Sequence, residues 1–169
     1  SLPRQAHAVT VNTRFLQQRV QQLGVPANRI VWIPNGVDRQ RFAGAAQIDR
    51  AGEWPGVIGH QRRVLYLGSL ELISHPIDLL LEAFEYVHQR EPKAVLLIAG
   101  GGADFDRLHT QIEAHRQAAY VRLAGRVPTE AAASYYQAAH VTVDPVRDDL
   151  TAQARSPLKV VESLAMGTP

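Results

Sequence analysis

Four near-continuous apolar runs, Val64–Leu67, Ala94–Ala99, Val121–Ala124 and Val141–Val143, recur through the later part of this chain with amphipathic stretches between them. Strands buried on both faces read as such runs, whereas a strand with one wet face alternates. The stretches between them carry helical spacing. Ile77–Arg90 follows Pro76 and turns Leu80, Phe84 and Val87 inward. Asp104–Arg116 carries Phe105, Leu108 and Ile112, and Glu130–Ala139 follows Thr129 as a candidate N-cap. Parallel strands need crossovers of this length, so the pattern predicts an α/β chain: a Rossmann-like parallel sheet with helices on both faces.

In open sheets of this kind ligands bind beyond the carboxyl ends of the strands, near the point where strand order reverses. Here those ends carry Gly68-Ser69, Gly100-Gly101-Gly102, Gly125-Arg126 and Asp144-Pro145. Glycine lets a backbone approach a phosphate or a base closely, although it also serves turns alone. A dinucleotide-binding dehydrogenase is disfavoured, because Phe105 stands where the third glycine of that fingerprint would fall after the glycine triplet.

The last fourteen residues, Ser156-Pro157-Leu158-Lys159-Val160-Val161-Glu162-Ser163-Leu164-Ala165-Met166-Gly167-Thr168-Pro169, predict one short helix. Ser156 is a candidate N-cap and Pro157 suits the first helical position. Gly167 is placed to close the helix, and Pro169 prevents its continuation. Leu158, Val161, Leu164 and Ala165 form an apolar stripe. Lys159 and Glu162 admit two readings. A cation at a helix N-terminus beside a carboxylate that can grip two vicinal hydroxyls suits the phosphate and ribose of a nucleotide. The same pair is also an ordinary i,i+3 ion pair on a helix surface. Lys93 and Lys159 are the only lysines among eighteen basic residues.

Before the strand–helix repeat the chain reads differently. Val9–Val11 predicts a short strand with no preceding partner, Thr13–Leu23 a helix stopped by Gly24, and Ile30–Ile33 a second strand. Asn35-Gly36 then signals a turn. Residues 39–61 are rich in glycine and read as a linker, with local helix around Ala45–Arg50.

At 169 residues the chain can bury one sizeable core and a fragment of a second. An apolar content of 46% and a charged content of 20% fit a globular protein, and no apolar run reaches the length of a membrane span. Cysteine is absent, which excludes disulfides and thiolate metal sites. The formal net charge is +2, with a pI of 9.2, but basic residues are scattered singly, so no nucleic-acid partner is expected. No spacing suggests a metal site.

The segment SPLKVVESLAMGTP resembles the nucleotide-sugar motif of retaining GT-B glycosyltransferases of the group 1, family 4 type, in which Pro-x-Lys-x-x-Glu, or two Glu separated by seven residues with the second matching Glu162, precedes Ala-x-Gly-x-Pro. Further segments resemble the same family in the same order: VTVNTRFLQQRVQQLGVPANRIVWIPNGVDRQRF, YLGSLELISHPIDLLLEAF, LLIAGGGADFDRL and VRLAGRVPTEAAASYYQAAHVTVDPV. The resemblance implies that residues 1–38 end an N-terminal GT-B domain and form the hinge. Residues 39–62 would be a linker, and residues 63–169 the nucleotide-sugar-binding domain, incomplete at its C-terminus. It implies transfer of a hexose, with retention, from a nucleoside diphosphate sugar to a glycan or lipid acceptor held by an N-terminal domain outside this chain. No cofactor or metal is implied. A cytoplasmic location is, with peripheral membrane association at the inner face.

By the same resemblance, Glu162 holds the donor ribose, Lys159 and the helix N-terminus the diphosphate, and the Gly68 loop the β-phosphate. Backbone around Arg126 and Val127 meets the base, and Gly100 and Gly102 line the donor site. Catalysis falls in the cleft between domains, so no catalytic residue is assigned within this chain, and the chain alone is expected to bind nucleotide without turnover. Three positions depart from the family. Ala154 replaces the first Glu, Ser69 replaces an Arg, and His75 falls where a Lys is usual. His75 is either a diphosphate ligand when protonated or an exposed residue before a helix. Asp148 and Asp149 either face the donor sugar or belong to a polar loop. The departures keep open a noncatalytic nucleotide-binding or scaffold module. A UDP-sugar 2-epimerase of the same architecture is the other alternative, disfavoured by the Pro-x-Lys-x-x-Glu segment.

Overall fold

The structure is a computed structural model that describes residues 2–38, 40, 42, 54 and 61–169. The helix expected around Ala45–Arg50 lies outside the described residues. Four parallel strands form the main sheet: β3 (Arg62–Leu67), β4 (Ala94–Ala99), β5 (Val121–Gly125) and β6 (Val141–Thr142), in the order β5-β4-β3-β6. Two earlier strands, β1 (Val9–Val11) and β2 (Ile30–Trp32), pair parallel with each other in a separate sheet. The strand expected to have no preceding partner pairs with the one after it in sequence, and a short helix α1 (Leu2–Gln5) precedes it. Between them runs α2 (Arg14–Gln22), capped by the Thr13 side chain accepting from the Leu16 amide at 3.1 Å.

The side-chain period of two divides each main-sheet strand between two cores. From β3 and β4, Tyr66, Ala94, Leu96 and Ile98 face α3 (Ile77–Arg90) and α4 (Phe105–Ala114), which contribute Leu81, Phe84, Leu108 and Ile112. Leu65, Leu97 and Ala99 face the opposite side, against Ala132, Ala133 and Tyr136 of α5 (Ala132–Ala138). Helices therefore cover both faces, as the apolar runs predicted. Val87, expected on the inner face of α3, is 44% exposed, and Leu81 is buried in its stead. The predicted start of α5 at Glu130, capped by Thr129, is a 3₁₀ turn over Thr129–Ala131, and no side-chain cap closes α5. The linker reading misses two anchors: Phe42 and Trp54 are buried in the α5-side core.

β4 lies on one side of β3 and β6 on the other, so the chain leaves β3 and returns to its opposite edge. That reversal opens a crevice where the carboxyl ends of β3 and β6 meet. The residues at those ends are Gly68 and Asp144.

Candidate functional site at the carboxyl ends of β3 and β6

Two helices follow β6: α6 (Leu150–Ala154) and α7 (Leu158–Ala165). Asp149 caps α6, accepting from the Ala152 amide at 2.8 Å, which gives that carboxylate a structural task. α7 begins one residue later than expected. Pro157, extended at ψ 125, is its N-cap, and Ser156 makes no side-chain cap. The Ser156 carbonyl instead accepts from Asn35 Nδ2 at 2.5 Å. Asn35 and Gly36 make no positive-φ turn, and that bridge gives the Asn35 side chain its use. The C-terminal end follows the expectation. Gly167 takes φ +75, its amide donates to Leu164 O, and the Thr168 amide donates to Ser163 O, a Schellman closure.

The inward face of α7 is polar. Ser163 is buried, shares a hydrogen bond with the Thr142 hydroxyl at 2.8 Å and donates to Thr168 O at 2.7 Å. Thr168 Oγ1 in turn donates to Tyr136 O at 2.7 Å. These bonds lock α7 to β6 and α5 in one rotation. Leu158 and Leu164, members of the expected apolar stripe, are therefore 52% and 63% exposed. Lys159 and Glu162 turn inward.

Lys159 Nζ stands 3.0 Å from Asp144 Oδ1 and 4.3 Å from the centroid of the Tyr66 ring. The approach to Asp144 is an ion pair by distance without the alignment of a hydrogen bond, so the buried ammonium keeps donor capacity unused. Burial holds the Lys159 pKa below its usual value, with Arg155 pressing the same way and Asp144 opposing. Arg155 Nη2 reaches both Asp144 oxygens at 3.1 Å and His75 Nδ1 at 3.4 Å. Burial, then the positive charges of Lys159 and Arg155, depress the His75 pKa. The Tyr66 phenol is pushed well up by burial and by Asp144, and it donates to Ser69 O at 2.7 Å. Tyr136 donates to Glu162 Oε2 at 3.0 Å. Lys159 and Glu162 thus pair with Asp144 and Tyr136, and the surface i,i+3 reading gives way.

Of the residues expected at the site, Gly68, His75, Lys159 and Glu162 line one open cleft of about 600 Å³, joined by Tyr136 and Arg155. Gly68, Ser69, Gly100, Arg126 and Val127 line an adjacent depression of about 290 Å³, and the two spaces meet at Gly68. Gly102 lines neither. A Cβ there would overlap the Leu70 carbonyl, so its lack of a side chain serves the packing of the turn. Gly68 has a second use: a Cβ on it would fall 2.7 Å from Lys159 Nζ, so glycine is what admits the ammonium. Arg155, Tyr66 and Tyr136 were not singled out by sequence reasoning, and Asp144 was named only as a strand end. Asp144 carried a signal, an acid closing an apolar strand, and so did Arg155, a cation beside the Pro-x-Lys segment. Among the described residues, no group of three or more His, Asp or Glu side chains is placed to hold a metal ion.

The cleft therefore presents two cations, one internal carboxylate and a separate oriented carboxylate at the switch point of a parallel sheet. Known proteins share this frame. The sequence profile for Glycosyl transferases group 1 matches residues 61–169, and that for Glycosyltransferase Family 4 matches residues 2–41. Phosphatidyl-myo-inositol mannosyltransferase of Mycobacterium tuberculosis is 37% identical over 160 residues, which is 95% of this chain and 38% of that protein. Sucrose-phosphate synthase from Thermosynechococcus elongatus superposes with a TM-score of 0.74 at 23% identity, over 99% of this chain and 41% of its own. A mutant of S. aureus TarM, solved with UDP and saccharide ligands, gives a TM-score of 0.72 at 20% identity over 98% of this chain and 29% of its own. This chain spans about two fifths of the length of the curated relative it matches. In fold these neighbours share its architecture, and by sequence the chain belongs to the group 1 glycosyl transferases, with a GT-B C-terminal domain.

Proposed function

We propose that this chain is the donor-binding part of a retaining glycosyltransferase that moves a hexose from a nucleoside diphosphate sugar to a glycan or lipid acceptor. The observation that carries it is the joining of Lys159 and Glu162 in one cleft at the β3–β6 switch point, with Gly68 between that cleft and a second depression. Glu162, oriented by Tyr136, grips the ribose hydroxyls. Lys159, at the start of α7, faces the diphosphate together with His75 and the Gly68 turn. Ser69 and Gly100 line the passage to the depression, where backbone at Arg126 and Val127 meets the base. As the bond to the sugar breaks, negative charge grows on the leaving diphosphate, and fixed cations in a half-buried cleft stabilise it without reorganising. Side chains alone supply this charge, so the proposal includes no metal or cofactor.

In this reading residues 1–38 end the acceptor-side domain and form the hinge, residues 39–62 link it, and residues 63–169 are the donor domain. The domain by itself binds nucleotide without turnover. The name of the mycobacterial relative makes mannose and a phosphatidylinositol-type lipid the first donor sugar and acceptor to try. A lipid acceptor fits peripheral contact with the cytoplasmic membrane face; among the described residues no helix is long and apolar enough to cross a membrane. The test is incubation of a protein that joins this chain to its acceptor-side domain with UDP-, GDP- and ADP-hexoses and lipid or glycan acceptors, with the anomeric configuration of the product read by NMR. Transfer with retention supports the proposal. Inversion, or nucleotide binding without transfer to any acceptor, contradicts its catalytic part.

A further inference from the structure

The two cations of the donor cleft meet a single carboxylate directly, while Glu162 is held by Tyr136. Asp144, with its side chain 8% exposed, sits between Arg155 at 19% and Lys159 at 15%. One carboxylate thus serves two cations. All contacts of the Arg155 guanidinium run through Nη2, to Asp144 and to His75 Nδ1, so Nε and Nη1 have no protein partner among the described residues. Among the described residues the Lys159 ammonium pairs with the Asp144 carboxylate alone, at 3.0 Å, and uses at most one of its three N–H groups there. Guanidinium and ammonium groups together suit a diphosphate, since the planar fork can take two oxygens while the ammonium acts as a point charge. Asp144 presents two oxygens to the pair, as one phosphate group would. It closes β6, and its main chain is fixed where Val143 N donates to Leu65 O at 2.9 Å.

Resting on the donor-site reading above, we infer that Arg155 and Lys159 together form the diphosphate clamp, and that Asp144 fills that clamp as an internal stand-in anion which an incoming diphosphate displaces. Arg155 then takes over the cationic contact that the Gly68-Ser69 turn lacks. The charge is supplied from the segment before α7 in place of the end of β3. Asp144 keeps two buried cations paired while the cleft is empty, and its competition lowers affinity for diphosphate. A carboxylate that merely scaffolded the clamp would do the opposite on removal.

The test is calorimetric binding of inorganic pyrophosphate, UDP, GDP, ADP and the matching nucleosides to the full chain and to Arg155→Gln, Arg155→Lys, Asp144→Asn and Glu162→Ala. Arg155→Gln should weaken pyrophosphate and nucleoside diphosphate about tenfold or more, with nucleoside affinity unchanged. Arg155→Lys should recover part of the loss. Asp144→Asn should tighten both diphosphate ligands severalfold while lowering the melting temperature of the free protein, and pyrophosphate should restore it. Glu162→Ala should weaken nucleosides and nucleotides but leave pyrophosphate unaffected. Unchanged diphosphate affinity in Arg155→Gln, or weakening in a folded Asp144→Asn, overturns the clamp while leaving the donor site standing. Absence of binding by every ligand to the folded wild-type chain overturns both. If Asp144→Asn does not fold, the two Arg155 variants decide: retained tight diphosphate binding in Arg155→Gln overturns the clamp, and its loss with recovery in Arg155→Lys supports it.

Discussion

The phenolic O–H of Tyr136 donates to Oε2 of Glu162 across 3.0 Å, tying α5 to the inner face of α7. Tyr136 is 1% exposed and belongs to the core on that side of the sheet, so the carboxylate is aimed by a group that cannot swing away. Tyr136→Phe keeps the packing and removes this donor. A lost hydrogen bond to a charged group is worth about 1.5–3 kcal/mol. Because Glu162 also meets the cleft, part of that loss should appear as nucleotide affinity reduced about tenfold, with pyrophosphate binding unchanged. Equal calorimetric affinities for Tyr136→Phe and wild type would show that the bond does not orient Glu162.

Gly68 and Gly100 should respond differently to alanine. At Gly100 a Cβ would overlap the Gly68 carbonyl, and φ is +150, a region L residues rarely adopt. Backbone must move, so Gly100→Ala should lose about 3 kcal/mol or more of stability in urea titration. At Gly68 the nearest obstacle is the end of the Lys159 side chain, which can shift. Gly68→Ala should fold, cost less than about 1.5 kcal/mol, and weaken diphosphate binding by pushing the Lys159 ammonium out of its place beside Arg155. Equal stability losses in the two variants would contradict this assignment.

His75 sets a pH dependence whose sign follows from its surroundings. It faces Lys159, Arg155, Asp144 and Glu71, and its ring meets Tyr66 edge-on. Its folded pKa lies below the unfolded value, chiefly through burial and then through the two cations. The unfolded chain therefore binds the proton more readily. The associated stability is complete above the unfolded pKa, near 6.5, and is lost as pH falls through the folded pKa. The melting temperature of wild type should drop more than that of His75→Gln between pH 7 and pH 5. Bound diphosphate favours the protonated ring, so the drop should shrink with ligand present. Parallel curves for the two proteins would remove His75 from the account.

Trp54 is 3% exposed and packs in the core formed by Leu65, Leu97 and Tyr136. Trp54→Ala should cost about 3–5 kcal/mol, measured by chemical unfolding. A loss below about 1 kcal/mol would show that this anchor is dispensable.

Trp54 also shows where the sequence stopped being legible. The main sheet was readable because helices cover both its faces, which favours near-continuous apolar runs, Ala94–Ala99 being buried along its whole length. Trp54 and Phe42 stand alone among glycines and polar residues, and an isolated aromatic carries no period. α7 misled for a related reason. Its apolar stripe was real, but rotation was decided by partners distant in sequence: Thr142 for Ser163, Asp144 for Lys159 and Tyr136 for Glu162. Lys159 and Glu162 could be named because their residue types suit phosphate and ribose at a helix start. Arg155 and Asp144 lie eleven residues apart with α6 between them, and only the return of the chain to the β6 end brings them together.

The central claim is tested most directly by thermal unfolding of the full chain with UDP, GDP, ADP and TDP, beside Glu162→Ala. A ligand at a hundred times its dissociation constant stabilises the folded state by about 2.7 kcal/mol. The account predicts that one nucleoside diphosphate raises the melting temperature of wild type and that Glu162→Ala loses the response while remaining folded. No shift with any of the four nucleotides, or an undiminished shift in Glu162→Ala, would contradict it.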